Sequence, residues 1–214
     1  MSATTVAERL EADVVIVGGG SAGCVLARRL ADADPSCRVV LLEAGETAPG
    51  FVTDIPGMTM RLMGQPATDW CYPAEPDPSL GGRVLYWSGG RMLGGSSSIN
   101  GLVYIRGLRR DYDDWAAAGA AGWGWSDVEP YFRKAERCED GGLESLGTSG
   151  PYTVSRIRSL HSLTEPYVAA CRELGIPTLD DYNRGDREGA FVNLTSQQGG
   201  RRSSTANRYL PPAA

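Results

Sequence analysis

The chain has 214 residues, of which 42% are hydrophobic and 22% charged, with 21 basic against 26 acidic side chains and a net charge of −5. Such a composition suits a folded domain with a buried core, and its acidic balance gives no electrostatic case for a nucleic-acid partner or an anionic membrane surface. Five scattered cysteines without a C-x-x-C pair suggest neither a disulfide framework nor a zinc site; they fit reduced thiols in a cytoplasmic protein.

Residues 1–12 read as a lead-in. Glu8, Arg9 and Glu11 interrupt it, and the first apolar run is only a strand long, which excludes a secretory signal and an integral membrane segment there. Residues 13–43 then spell a strand, a glycine turn, an amphipathic helix and a second strand. The run Val14–Val17 is β-branched and uncharged, as a strand covered on both faces requires. Gly18, Gly20 and Gly23 have G-x-G-x-x-G spacing: one glycine for the tight turn, one for backbone approach to a pyrophosphate, one for close helix–strand packing. The unpaired amides and dipole of the helix start then favour phosphate. Within the helix Ala22, Val25, Leu26 and Leu30 recur at helical spacing and are expected to face the sheet. Glu43, at the end of the second strand, is placed to accept ribose hydroxyl hydrogen bonds. The unit by itself serves NAD or FAD equally; a plain βαβ unit with a glycine turn would leave Glu43 unexplained.

Residues 45–69 hold glycines and prolines with little periodicity and read as an ordered, irregular excursion. Residues 70–73 and 83–87 predict a hairpin reversed by Asp77, Gly81 and Gly82. A second glycine-rich stretch follows at residues 89–107. Its Gly94-Gly95 pair lets backbone pass close to a ligand or another strand, and Ser96, Ser97, Ser98 and Asn100 supply donors and acceptors for a pyrophosphate and the polar edge of a planar cofactor. Arg91 adds a charge-assisted phosphate contact. Ser/Gly composition commonly marks a flexible linker, but Leu93, Ile99, Leu102, Val103 and Ile105 argue against one.

Arg106, Arg109 and Arg110 are followed at once by Asp111, Asp113 and Asp114, which predicts a solvated or internally paired face. Asp111 is expected to cap a short helix that Gly119 stops, and Ser126 with Glu129, then Ser162 with Glu165, predict two more helix starts by capping box. Residues 151–157 and 190–196 predict strands, and residues 203–210 a short helix before Pro211.

These stretches together resemble the glucose-methanol-choline (GMC) family of FAD-dependent oxidoreductases, choline-dehydrogenase-like enzymes among them. The residues that carry the resemblance are Val14-Val15-Ile16-Val17-Gly18-Gly19-Gly20-Ser21-Ala22-Gly23, Leu41-Leu42-Glu43-Ala44-Gly45, Asp69-Trp70, and above all the run from Gly90 through Asn100 to Gly101, with Tyr104-Ile105-Arg106-Gly107 beyond it. Asp111-Tyr112-Asp113, Gly122-Trp123, Tyr131-Phe132 and Gly200-Arg201-Arg202-Ser203-Ser204 extend it over nearly the whole chain. The resemblance implies FAD. Glu43 would hold the adenosine ribose, Gly18, Gly20, Ser21, Ala22 and Gly23 the pyrophosphate, and Ser96, Asn100, Gly101 and Val103 would lie along the flavin. Some members attach FAD through a histidine just before the asparagine; Ile99 stands there, so non-covalent FAD is expected.

The implied fold is α/β, an incomplete Rossmann-like FAD-binding fold with an attached, partial α+β substrate region. Its implied divisions are residues 1–12, 13–110, 111–199 and a return segment at 200–214. The implied reaction is oxidation of a small-molecule alcohol at its CH–OH by hydride transfer to flavin. Family enzymes are more than twice as long and use a histidine base near their C-terminus, which this sequence stops short of. His161, the only histidine, reads as a solvated or capping residue, and Asp180, Asp181 and Asp186 read as turn and capping residues. No catalytic residue is therefore assigned. The chain is expected to be a truncated product, or half of a split protein with a C-terminal partner chain. A non-catalytic FAD module is the alternative, and a nicotinamide-dependent dehydrogenase would leave residues 90–101 unexplained.

Overall fold

The computed structural model describes residues 10–46, 50–185 and 188–210. Val14–Val17 forms β1, Ser21–Ala33 forms α1 and Val39–Leu42 forms β2, with β1 and β2 parallel from Val14↔Val39 to Val17↔Leu42. The helix ends at Asp34, whose carboxylate accepts the Ser36 amide at 2.9 Å and closes the turn into β2.

Two details differ from the sequence pattern. α1 buries Gly23, Cys24 and Ala27, while Leu26 is 52% exposed and Ala22 also faces outward. Close approach is the reason: a Cβ on Gly23 would lie 2.0 Å from the Gly18 carbonyl oxygen, so the small residues take the contact face and turn the larger ones away. In β1, Val15 and Val17 are 55% and 84% exposed, so the strand is not covered on both faces by the described residues.

The excursion after β2 is built of Gly50–Asp54 (α2), a 3-10 turn at Pro56–Met58 and Thr59–Leu62 (α3). The predicted hairpin forms with a short ladder: Tyr72–Pro73 (β3) lies antiparallel to Tyr86–Trp87 (β4), with single bridges at Asp69–Gly90 and Asp77–Arg83. Buried Asp69 organises its base. Its carboxylate accepts the Tyr86 and Ser88 hydroxyls and the amides of Gly64, Cys71 and Gly89. Burial pushes this carboxyl up, but hydrogen bonds from Tyr86, Cys71, Gly64 and Gly89 outweigh it and hold Asp69 well below the usual carboxylate range.

Val103–Tyr104 (β5) follows the glycine-rich stretch. Arg109–Ala117 (α4) and Trp125–Ala135 (α5) then pack around Tyr112, whose ring meets Trp115, Trp125 and Phe132 at centroid distances of 5.4, 5.6 and 5.8 Å. The helix starts are displaced from the predicted caps. Asp111 lies one turn inside α4 and accepts the Leu108 amide at 2.7 Å; Asp127 does the same for Gly124 at 3.1 Å, so the Ser126–Glu129 box does not form. Gly119, with φ +108°, follows α4 as expected.

Glu136–Cys138 (β6) runs straight on from α5 and pairs in parallel with Tyr152–Val154 (β7). β6 is missing from the sequence reading because Glu136 and Arg137 give it no strand-like apolar pattern. Its pairing is secured by chemistry instead: the fully buried Glu136 carboxylate binds the Arg106 guanidinium and the Tyr104 hydroxyl. Arg106 is thus the internally paired member of the basic cluster. Thr164–Glu173 (α6) starts after Leu163, without the predicted Ser162–Glu165 box. Leu194–Thr195 (β8) pairs antiparallel with β5, and a tight hairpin joins Gln197–Gln198 (β9) to Arg201–Arg202 (β10) before Thr205–Tyr209 (α7), capped by Ser204.

Apolar packing gathers in two places. Leu143, Leu146, Val154, Tyr182 and Leu194 form one cluster beside β7 and β8; Leu62, Met92 and Ile99 form another beneath the glycine-rich stretch. α7 returns to lie against α1, which brings the end of the chain beside its beginning. All five cysteines are free, and no helix among the described residues is long and apolar enough to cross a membrane.

Candidate cofactor site

The two glycine-rich stretches meet. The Gly94 amide donates to the Gly19 carbonyl at 2.7 Å, and a Cβ on Gly95 (φ +51°) would lie 2.8 Å from the Gly20 Cα. Only glycine permits both that backbone angle and that approach. At α1 the first bonded amide is Cys24, donating to the Gly20 carbonyl at 3.0 Å, and Gly20 offers no side-chain cap. The amides of Ser21, Ala22 and Gly23 are therefore the unsatisfied donors of a helix start, where an anion is favoured.

A cavity lies on each side of this helix start. One, of about 510 Å³, is lined by Gly18, Gly20, Leu42, Glu43, Trp70 and Gly90. The other, of about 650 Å³, is lined by Ser21, Ala22, Val25, Ser97, Asn100, Tyr104, Tyr152, Thr205 and Tyr209. Burial pushes the Tyr152 and Tyr209 hydroxyls up; at Tyr104 burial and then the Glu136 charge push in the same direction, so all three tyrosines stay protonated donors. A third cleft, of about 360 Å³, lies against α6 and shares no residue with these two; the Arg156–Asp180 ion pair at 2.9 Å stands in its lining.

Glu43 has a second task besides the one its position predicts. Its Oε2 accepts the Gly19 amide at 2.7 Å and its Oε1 accepts the Gly45 amide at 2.8 Å, so the carboxylate ties the glycine turn to the end of β2. A carboxylate has about four acceptor positions, so two remain for ribose hydroxyls. The Arg91 guanidinium donates to the Pro66 carbonyl at 3.2 Å and lies 5.1 Å from the Trp70 ring centre, at the edge of the first cavity. Gly23 is buried against Gly18 and acts in packing. Ser96 accepts the Gly90 amide through its hydroxyl at 3.2 Å; Gly101 and Val103 lie exposed on the surface beyond Asn100, and none of the three lines either cavity.

Sequence reasoning missed Trp70, Thr205 and Arg202 as site residues. Ser97 and Thr205 join through their hydroxyls at 3.0 Å, and the Thr205 amide donates to the Ser97 hydroxyl at 3.0 Å. Residues 203–210 predict a short helix, but nothing in them marks what that helix touches. His161 lines neither cavity; its Nδ1 accepts the Leu163 amide at 3.2 Å, a capping role. Asp180 pairs with Arg156 and Asp181 accepts the Ser145 amide at 3.0 Å, while Asp186 lies outside the described residues.

A parallel βαβ unit with open amides at its helix start, a carboxylate closing its second strand and a cavity on either side defines an α/β dinucleotide-binding protein. The chain matches the GMC oxidoreductase family model over residues 12–214, and it belongs to that family. It is 41% identical over 204 residues to the oxygen-dependent choline dehydrogenase of Brucella anthropi and 43% identical over 206 residues to the mitochondrial choline dehydrogenase of Mus musculus, matches that cover 95% and 92% of this chain. Those matches span 37% and 34% of the two relatives. Among solved structures it is similar to pyridoxine 4-oxidase from Mesorbium loti, with a TM-score of 0.86 and 35% identity over 94% of this chain and 40% of that one. FAD is the cofactor that goes with this membership.

Proposed function

We propose that the chain is the FAD-binding part of a choline-dehydrogenase-like alcohol oxidoreductase, an incomplete Rossmann-like fold that binds FAD non-covalently. The observation that carries this reading is the seating of the second glycine-rich stretch on the first, with the open α1 amides at the junction of two cavities. The residues fit the group. Glu43 would take the adenosine ribose with the two acceptor positions that its backbone bonds leave free. Gly18 and Gly20, with the Ser21 and Ala22 amides, would take the pyrophosphate, and Gly23 lets α1 come close enough. Asn100, with Ser96, Gly101 and Val103 on the open side of its loop, would meet the flavin, and Arg91 stands where it can add charge toward a phosphate. Ile99 offers no nucleophile and is buried in a core cluster with Met92 and Leu62, which supports non-covalent attachment.

When bound, FAD would accept the hydride of a CH–OH substrate; the protein contributes binding, orientation and electrostatics. Tyr104, Tyr152 and Tyr209 would shield the second cavity with apolar rings. No described residue lining the cavities offers a carboxylate or imidazole beside Asn100, and His161 serves a turn. We place the base, and the cover for Val15 and Val17, in sequence beyond these 214 residues or on a partner chain. The choice of alcohol belongs with that part.

The direct test is the absorbance of the purified chain. A yellow protein that releases FAD on heating supports the reading; a colourless protein that binds NAD overturns it. With FAD loaded, an alcohol is expected to leave the flavin oxidised under anaerobic conditions, and bleaching would show that a base lies within the chain after all.

A further inference from the structure

Arg202 is the largest side chain in the fully buried interior, 1% exposed, and it is spent on the loop that carries Asn100. Its Nε donates to the Thr53 carbonyl at 2.9 Å and its Nη2 to the Thr59 hydroxyl at 2.8 Å. Its Nη1 faces the Asn100 carbonyl at 2.8 Å, the Asn100 side-chain oxygen at 2.9 Å and the Ser97 carbonyl at 3.4 Å. The same Asn100 side-chain oxygen accepts the Leu102 amide at 3.1 Å, where the backbone takes φ +68°, a conformation that a leucine rarely adopts. One guanidinium thus fixes the turn from Ser97 to Leu102 and ties it to α2 and α3.

The charge is also unneutralised. Among the described residues no carboxylate pairs with Arg202; burial lowers its pKa, and the Asp54 charge opposes this only in part. Its neighbour Arg201 lies outside and takes the Asp54 carboxylate at 3.6 Å. A buried guanidinium is ordinarily matched by an acidic partner, as Arg106 is by Glu136. A cation left without one acts on whatever charge forms nearby, with little screening by salt.

We propose that Arg202 is a positioning residue for the flavin: it locks the Ser97–Asn100 carbonyls in one orientation, and its fixed positive charge behind Asn100 favours the reduced, anionic flavin. This rests on the reading that Asn100 meets the flavin. The geometry of the fork and the sign of the charge make separate demands. Lysine keeps the charge but lacks the planar fork that reaches these five acceptors, and methionine keeps much of the bulk with neither.

The test compares wild type with Arg202→Lys, Arg202→Met and the outer control Arg201→Met. Amide exchange of residues 97–102 in the FAD-free chain reads the fork; the midpoint potential of bound FAD, by dye equilibration, reads the charge. Exchange in that segment is expected to quicken at least about tenfold in both Arg202 variants and to stay put in Arg201→Met. The midpoint is expected to shift negative in Arg202→Met and to return most of the way in Arg202→Lys. Should Arg202→Met fail to fold, Arg202→Lys still decides, since unchanged loop exchange in it overturns the proposal. A midpoint that is equal in Arg202→Met and wild type overturns the electrostatic role. A wild-type chain that takes up no FAD overturns the cofactor reading and the flavin role together, whereas a loaded wild type with indifferent variants overturns this proposal alone.

Discussion

Single carboxylates set much of the local order in this chain. Asp69 receives five donors with its charge buried, and hydrogen bonds to a charged acceptor contribute about 1.5–3 kcal/mol each at most. Asp69→Asn is expected to lower unfolding stability by roughly 2–4 kcal/mol, read as a fall in the urea midpoint at constant slope, because an amide presents two donors of its own to a nest of donors. The pH dependence has a definite sign. The folded-state pKa of Asp69 lies below its unfolded value of about 3.9, so its contribution is complete above that pH and is lost as pH falls toward the folded value. Wild type is expected to lose stability steeply below about pH 4, and Asp69→Asn less so. Glu136→Gln removes the carboxylate charge that the buried Arg106 guanidinium binds and is expected to cost about 3–5 kcal/mol by the same measurement. At this scale the sequence singles out Glu43, a carboxylate closing the second strand of a βαβ unit, but not its bonds to the Gly19 and Gly45 amides. Arg202 stayed hidden: Arg201-Arg202 is a twin in sequence, and only the β9–β10 hairpin turns one inward and the other out.

Helices and strands were legible where local chemistry decides them, and misplaced where two local signals compete. At α5 two spacings of three offer a cap: Ser126 with Glu129, and Gly124 with Asp127. The structure takes the second because Trp125 must be buried, and the Asp113 carboxylate accepts its amide at 2.9 Å. Asp127→Ala is therefore expected to lower stability by about 1 kcal/mol in thermal or urea melts, and Ser126→Ala to leave it within about 0.5 kcal/mol. The short strands β5, β6 and β8 form from distant partners, and their two or three residues carry no alternation of their own. Val103 finds Thr195 and Glu136 finds Tyr152 only after the chain has folded.

Over the whole molecule, the first and last described segments close on one another around the glycine-rich stretch. Residues 13–43 could have served NAD or FAD. Residues 90–101 narrow the choice, since they sit on the helix start and contribute Gly90 to the first cavity and Ser97 and Asn100 to the second, which tyrosines also line. The outward valines of β1 and Leu26 of α1 stay uncovered among the described residues. The account stands on Glu43 acting as a ribose ligand at the first cavity, and FAD titration of the purified chain tests that most directly. Glu43→Arg is expected to raise the FAD dissociation constant at least about tenfold, a loss of about 1.4 kcal/mol or more, while Glu46→Arg, exposed three residues on, leaves it within about twofold. Equal effects of the two substitutions would contradict the account.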